Sequence, residues 1–223
     1  MTYHFDFGAV LVYWPALLHG VLITLELTGF GAVLGVGLGI VCAYIRLGGP
    51  RPLRFIIGVY VEMIRNTPFL VQLFFIFFGL PALGLSLSAI AAAILATVIN
   101  LGAYSTEIIR AGIEGTPAGQ TEAGASLGLT KFESFRHIIL KPALARIWPA
   151  LSAQIIIVML GTAICSQIAV QELTYAASFI QSRSFRAFEA YFVVTALYLA
   201  LAILLRQTLR LGGKFLFPWE RSR

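Results

Sequence analysis

Polar side chains in this strongly apolar chain are concentrated at a few places, and the first surrounds a proline. In the run VEMIRNTPFLVQ, Asn66 and Thr67 immediately precede Pro68. A proline inside a helix removes one backbone hydrogen bond and kinks the helix, which here would free the carbonyl of Ile64. Freed carbonyls beside amide and hydroxyl groups at membrane depth can bind a polar solute. The run therefore predicts a solute site.

Two acid–base pairs form a second group. Glu62 and Arg65 stand three residues apart, and Glu107 and Arg110 repeat that spacing. Charges within a membrane span are costly and usually pair, and side chains at this spacing are neighbours on a helix. The spacing predicts two structural ion pairs.

A polar stripe is the third such place. Asn100, Tyr104 and Glu107 share one helical face, so the stripe should face other helices or a pore rather than lipid. A later apolar segment carries further hydroxyl and amide groups, including Ser152, Gln154, Thr162, Ser166 and Gln167. Those groups could line a path or simply form hydrogen bonds between helices.

The segments that must hold these residues are long and apolar. The composition is 59% hydrophobic and only 12% charged, whereas soluble domains carry about 25% charged residues. The fold class predicted is an all-α membrane protein. Five segments are long enough to span a bilayer, at 20–45, 55–78, 87–109, 144–168 and 189–211. Residues 1–19, interrupted by Pro15, predict an aromatic-rich interfacial segment.

The basic residues predict the orientation. Most of the 16 Lys and Arg fall after the first span, around the loop 111–142 and in the tail 212–223. By the positive-inside rule these regions face the cytoplasm, so the N-terminus lies outside and the C-terminus inside. This asymmetry accounts for the net charge of +6 without a nucleic-acid partner.

The loop 111–142 contains helix start and stop signals. Thr116 followed by proline can begin a helix, and Gly128 can end it. Thr130 and Glu133 have capping-box spacing, which predicts a second short helix over 131–140. The two short helices would lie on the cytoplasmic side, where the first could insert into a partner's groove. On the pattern alone, a structural hairpin with no partner fits as well.

The same loop resembles the EAA signature of the integral membrane subunits of ATP-binding-cassette importers. Glu122, Ala123 and Gly128 match the signature, and nine residues separate Gly128 from the Ile138-x-Leu140 element. Gly124 replaces the second alanine, and the proline is displaced by one position. The resemblance implies that ATPase coupling rests on the loop residues Gln120, Glu122, Ala123, Gly124 and Gly128.

Two other stretches are similar to the polar amino-acid permeases of this family, of the histidine and glutamine type. These are RNTPFLVQLFFIFFGLP and VQELTYAASFIQSRSFRAFEAY, and with the EAA loop the resemblance covers about residues 20–211. It implies a type I importer permease fold in the inner membrane of a bacterium. It also implies three partners: a second permease subunit, identical or a sister chain, a dimer of ATP-binding subunits, and a periplasmic solute-binding protein.

The resemblance further implies that this chain is not an enzyme and binds no cofactor or metal itself, since ATP and Mg²⁺ would be held by the partner. The sequence has no G-x-x-x-x-G-K-S/T phosphate loop. The expected solute is a polar amino acid or a close analogue such as an opine. The residues implied for its pathway are Asn66, Thr67, Pro68, Leu70, Asn100 and Thr162.

Other interpretations stay open at this point. The stretch around Thr162 lacks an acidic residue, which weakens an arginine or lysine substrate and is compatible with the non-binding half of a heterodimer. The chain could be an EAA-type permease for a solute other than an amino acid. An intramembrane serine hydrolase using Ser152 or Ser166 with His137 would belong to a different class, but no G-x-S-x-G surrounds either serine. A membrane scaffold or passive channel is a further alternative.

Overall fold

The computed structural model describes residues 3–115, 119, 122 and 126–218. Their regular structure is entirely helical, which confirms the predicted fold class, and no strand occurs among these described residues. Along the described ranges the helices are α1 (Gly8–Leu11), α2 (Trp14–Gly48), α3 (Arg51–Arg65), α4 (Phe69–Ala82), α5 (Ala89–Glu114), α6 (Ser134–Ile168), α7 (Leu173–Ser184) and α8 (Ala187–Leu216). Helices α2, α5, α6 and α8 are long and apolar enough to cross a membrane, and α3 with α4 would make a fifth, broken span.

The first span begins earlier than predicted. Helix α2 starts at Trp14 with Pro15 in its first turn, so residues 14–19 belong to the span and not to the predicted interfacial segment 1–19. A proline in the first turn of a helix lacks only an N–H that would have no intrahelical partner. Pro15 therefore starts the helix instead of interrupting it.

Helices α2 and α5 approach each other closely at the glycines of α2. A Cβ at Gly39 would lie 2.5 Å from the Cβ of Ser105, and one at Gly31 would lie 2.5 Å from the Cγ2 of Thr97. Small residues at such positions let two helix backbones come together. Helix α5 also contacts α3 and α6, so it is the central helix of the bundle.

The predicted second span, 55–78, is wrong as a single helix. Helices α3 and α4 are bent by 113° across the residues Asn66–Pro68. Pro68 has an extended backbone (ψ 138°) and precedes the first residue of α4. Because a proline disfavours helical conformation in the residue before it, α3 ends and the chain turns before α4 begins.

The predicted separation between a short helix 131–140 and a span 144–168 is also wrong. A helical turn, Lys131–Glu133, continues directly into α6, which runs through Pro142 to Ile168. The residues Ser134–Ile139 form a π-helical stretch that ends three residues before Pro142. Such a stretch shifts the hydrogen-bond register, so the helix passes the proline without a turn.

Helices α7 and α8 pack against each other at the end of the chain. The buried carboxylate of Glu172 caps α7, accepting from the amides of Thr174 (2.9 Å) and Tyr175 (2.8 Å). Burial raises the pKa of Glu172. Helix α8 is longer than the predicted span 189–211, so the tail predicted at 212–223 is helical up to Leu216.

Candidate solute pathway and coupling loop

The break between α3 and α4 is held by one buried amide, that of Gln72. Its Nε2 atom donates to the carbonyl of Ile64 (2.7 Å) and to both the carbonyl and the hydroxyl of Thr67 (3.0 Å each). The carbonyl of Ile64 is the one that Pro68 was predicted to free. Gln72 therefore satisfies backbone groups that the break would otherwise leave unpaired.

The same amide joins the break to the central helix. The Oε1 atom of Gln72 accepts a hydrogen bond of 2.9 Å from the Nδ2 of Asn100 on α5. A side-chain amide has two N–H donors and one carbonyl acceptor, and both ends of Gln72 are engaged. The position of the break relative to α5 is thus fixed by hydrogen bonds as well as by packing.

A cavity of about 270 Å³ lies at this junction of α4, α5 and α6. Its polar lining comes from Thr67, Thr97, Asn100, Tyr104 and Gln154, and apolar walls complete it. Asn100 and Tyr104 of the predicted polar stripe therefore face a cavity. An enclosure with apolar walls and a few placed amide and hydroxyl groups is the usual form of a small-molecule site.

The structure brings together only part of the predicted solute set. Thr67, Pro68 and Asn100 line the cavity, whereas Leu70 lies outside its lining. Asn66 is exposed and donates to the carbonyl (2.8 Å) and the carboxylate (3.0 Å) of Glu62. Thr162 is fully buried and donates to its own helix at the carbonyl of Met159 (2.6 Å).

Three residues of the junction were missed by the site prediction from sequence: Gln72, Thr97 and Gln154. The signal for Gln154 was present, because Gln154, Val158 and Gly161 recur at helical spacing and all three line the cavity. No such periodicity identifies Gln72, since the residues that its side chain contacts lie outside its own helix, across the break between α3 and α4 or on α5.

Of the two predicted ion pairs, the first is wrong. Within the described residues, Arg65 makes no ion pair with Glu62. Its guanidinium lies over the ring of Tyr104 instead, 5.6 Å from the ring centroid. Because α3 ends at Arg65, the side chain extends across the break toward α5. There the aromatic face of Tyr104 can bind the guanidinium.

The second predicted ion pair forms, and two further charged residues join it. Arg110 binds Glu107, with a distance of 2.9 Å between its Nε and the carboxylate, and also pairs with Glu114. On the opposite side, Arg46 of α2 pairs with Glu107 at 3.1 Å. Glu107 thus links α2 to α5 at one end of the bundle, the end predicted to be cytoplasmic.

The predicted coupling loop is described at two of its five predicted residues, Glu122 and Gly128. Ser126 donates to the carbonyl of Glu122 (3.0 Å), and Gly128 has a φ of +73°, which an L side chain rarely adopts. That conformation fits the predicted C-terminal glycine of the first short helix. Gln120, Ala123, Gly124 and the predicted start at Thr116-Pro117 lie outside the described residues.

The predicted capping box is present where the loop enters α6. The amide of Thr130 donates to the carboxylate of Glu133 (2.8 Å), and the amide of Glu133 donates back to the hydroxyl of Thr130 (3.3 Å). The hydroxyl of Thr130 also donates to that carboxylate. These bonds favour the charged form and lower the pKa of Glu133.

Comparison with known proteins agrees with this architecture. The chain is 40% identical over 172 residues to the L-cystine transport system permease protein TcyB of Bacillus subtilis, covering 77% of this chain and 74% of the relative. It is 35% identical over 208 residues to the glutamine transport system permease protein GlnP of Escherichia coli K12, covering 92% and 95%.

A solved structure described as an amino acid ABC transporter with histidines superposes with a TM-score of 0.85 at 36% identity, covering 95% of this chain and 99% of that one. Residues 35–210 match the family described as binding-protein-dependent transport system inner membrane component. The resemblance inferred from the EAA loop and the flanking motifs is confirmed: the chain belongs to the binding-protein-dependent transport system inner membrane component family and is the permease of an importer.

Proposed function

We propose that this permease passes a polar amino acid, or a close analogue such as an opine, into the bacterial cytoplasm through the cavity at the α3–α4 break. The observation that carries the proposal is the lining of that cavity. Among the described residues its polar groups are amides and hydroxyls without charge. Such groups can donate to a carboxylate and accept from an ammonium group, so they suit a zwitterion.

The size of the cavity points the same way. At about 270 Å³ it falls below the roughly 300–1,000 Å³ of sites for drug-sized ligands. A single amino acid is smaller than such ligands. The absence of an acidic side chain from the described lining disfavours a solute with a cationic side chain, since a buried cation needs a paired charge.

The proposed assembly has this chain paired with a second permease subunit in the inner membrane. A dimer of ATP-binding subunits would hold ATP and Mg²⁺ and receive the loop around Glu122 and Gly128, and a periplasmic binding protein would deliver the solute. Closure of the ATPase dimer would then shift the paired permeases between outward-open and inward-open states. The described loop supports this by the helix-ending glycine and the capped entry into α6.

The test is uptake in proteoliposomes containing the permease, its ATPase and its binding protein. Asn100→Ala and Thr67→Ala should each raise the half-saturating solute concentration by about tenfold, since each removes a polar group of the cavity lining together with its hydrogen bond to Gln72. Thr208→Ala is the matched control, because Thr208 lies on α8, outside the cavity lining, and its hydroxyl donates to the carbonyl of Leu204 in its own helix. Unchanged uptake affinity in both cavity variants would refute the proposed solute site.

A second arm tests coupling. Glu122→Lys should lose co-purification of the ATPase and solute-stimulated ATP hydrolysis. Gln207→Lys, which also introduces a lysine at an exposed position, here on α8, should retain both. If the Glu122 variant couples normally, the loop is not the contact with the ATPase, whatever the solute may be.

A further inference from the structure

A second and larger cavity lies between α6 and α8, and Ile157 of α6 borders both this cavity and the one on the proposed solute pathway. It has a volume of about 760 Å³ and is open along one side. Along most of its length the walls are apolar, formed by Ala153, Ile156 and Ile157 of α6 and by Leu199 and Ile203 of α8. Leu199 is 61% exposed. We refer to this cavity as the α6–α8 groove.

One end of the α6–α8 groove is cationic. Arg206, Arg210 and Lys214 all line it, and their spacing of four places them in a row on one face of α8. Considering only the described part of the chain, none of the three forms an ion pair. Three like charges side by side without an anion repel one another, so an anionic group placed among them would be stabilised.

The row lies at the depth of lipid headgroups. Helix α8 begins at Ala187, so at 1.5 Å per residue Arg206 is about 28 Å further along the helix axis. The hydrocarbon core of a bilayer is about 30 Å thick. Arg206 therefore falls near the predicted cytoplasmic boundary, and Arg210 and Lys214 lie beyond it, while the apolar part of the groove lies within the core.

A contact between α6 and α8 holds the walls of the groove at its cationic end. The indole N–H of Trp148 on α6 donates to the carbonyl of Leu209 on α8 (2.9 Å). A Cβ at Gly213 would lie 2.4 Å from that indole nitrogen, so the glycine makes room for the ring. Trp148 thus fixes the separation of the two helices at the cationic end, and the groove exists without an occupant.

We propose that the α6–α8 groove binds an anionic phospholipid of the cytoplasmic leaflet. The phosphate lies among the three cations, and an acyl chain runs between Ile157 and Leu199 toward the middle of the bilayer. Charge complementarity at the boundary and apolar walls within the core match the two parts of such a lipid. The hydroxyl of Ser152, which lies in the groove wall and has no hydrogen-bond partner among the described residues, can donate to the ester region.

A second copy of this chain fits the groove less well. Across a two-fold axis both subunits present the same patch. Such a contact would bring two rows of cations together, and the described lining of the groove contains no acidic residue to balance them. A lipid phosphate meets the cations with opposite charge.

The test is native mass spectrometry of the full-length chain, purified in detergent with its partner subunits and incubated with phosphatidylglycerol or phosphatidylethanolamine. The wild type should retain phosphatidylglycerol in preference to the zwitterionic lipid. In Arg206→Gln/Arg210→Gln the affinity for phosphatidylglycerol should fall by roughly 25-fold, because each basic residue near the surface contributes about fivefold. Arg51→Gln/Arg54→Gln, which removes two exposed charges outside the groove, should retain it.

A third variant, Ala153→Trp, fills the apolar part of the groove without changing its charge and should also lose the lipid. Equal lipid loss in the Arg51/Arg54 control, or unchanged retention in the groove variants, would overturn the proposal. Displacement of the lipid by excess inorganic phosphate would also overturn it, since the acyl chain would then contribute nothing. A change of oligomeric state in Ala153→Trp would assign the groove to a contact between permease subunits instead.

Discussion

The amide of Asn100 on α5 donates a 2.9 Å hydrogen bond to the side chain of Gln72 on α4. Gln72 in turn binds the carbonyls of Ile64 and Thr67 on the far side of the helix break. One side chain therefore connects α3, α4 and α5 at the cavity. The shape of the proposed solute site depends on this connection.

We expect Gln72→Leu to destabilise the protein. The leucine fills a similar volume but leaves two backbone carbonyls and the Asn100 amide without partners, at a cost of about 1–3 kcal/mol for each group that stays buried. Thermal unfolding of the detergent-purified protein would measure the loss. Gln207→Leu on the exposed face of α8 is the control and should unfold at the wild-type temperature. Equal stability of the two variants would show that the amide of Gln72 does not hold the break.

The contact between α2 and α5 can be tested with two glycines of the same helix. Gly39→Ala places a methyl group 2.5 Å from the Cβ of Ser105 and 3.0 Å from backbone atoms of α5, so the helices must separate. The expected loss is about 1–3 kcal/mol of overpacking. Gly37→Ala meets nothing within 4 Å and should be neutral, or more stable by up to about 1 kcal/mol, because alanine favours the helix. Denaturation of both variants in one detergent checks the difference, and a neutral Gly39 variant would contradict the close packing.

The ion pair between Arg46 and Glu107 should show a small coupling energy. Both side chains are about a quarter exposed, and solvent screens such pairs, so we expect about 0.5–1 kcal/mol from a double-mutant cycle of Arg46→Gln and Glu107→Gln. Glu114, which is 54% exposed, provides the comparison. A cycle of Arg46→Gln with Glu114→Gln should give no coupling energy. A coupling energy as large as that of Arg46 with Glu107 would contradict the assignment of the ion pair to Glu107.

The capping box at the start of α6 should depend on pH. Hydrogen bonds from Thr130 lower the pKa of Glu133 below its usual value of 4.5. A carboxylate with a lowered pKa contributes stability above the usual value, and the contribution is lost as the pH falls through the lowered pKa. At neutral pH, Glu133→Gln should therefore exchange amide hydrogens faster than the wild type around Thr130. Below the lowered pKa the two proteins should exchange alike, and hydrogen exchange followed by mass spectrometry checks both conditions.

Features encoded by neighbouring residues were predictable from the sequence. The capping box of Thr130 and Glu133 and the pair of Glu107 and Arg110 each depend on contacts within a turn or on a fixed helical spacing. The membrane-spanning character of α5 and α8 follows from long apolar runs in the same way. The structure contains each of these features.

Features that depend on the path of the chain in space were not predictable. Pro68 shows that one backbone hydrogen bond of a helix is missing, but it does not determine whether the helix is only kinked or the chain turns by 113°. The angle follows from where Gln72 and Asn100 meet, which requires the packing of α4 on α5. Likewise, Arg65 pairs with an aromatic ring across the break because its helix has already ended, and the spacing to Glu62 carries no such information.

The unbroken helix from Lys131 to Ile168 has a mechanical consequence. At 1.5 Å per residue it is a stiff rod of roughly 55 Å, with the loop of Glu122 and Gly128 at one end and the far face of the membrane at the other. A displacement of the loop must therefore either tilt the rod as a whole or be absorbed in its two irregular stretches, Ser134–Ile139 and Thr162–Ile168. The residues Gln154 and Gly161 of the cavity lie between those stretches. The solute cavity therefore lies partway along this helix. Any movement of the helix that reaches its outer end must also move the residues of the helix that line the cavity.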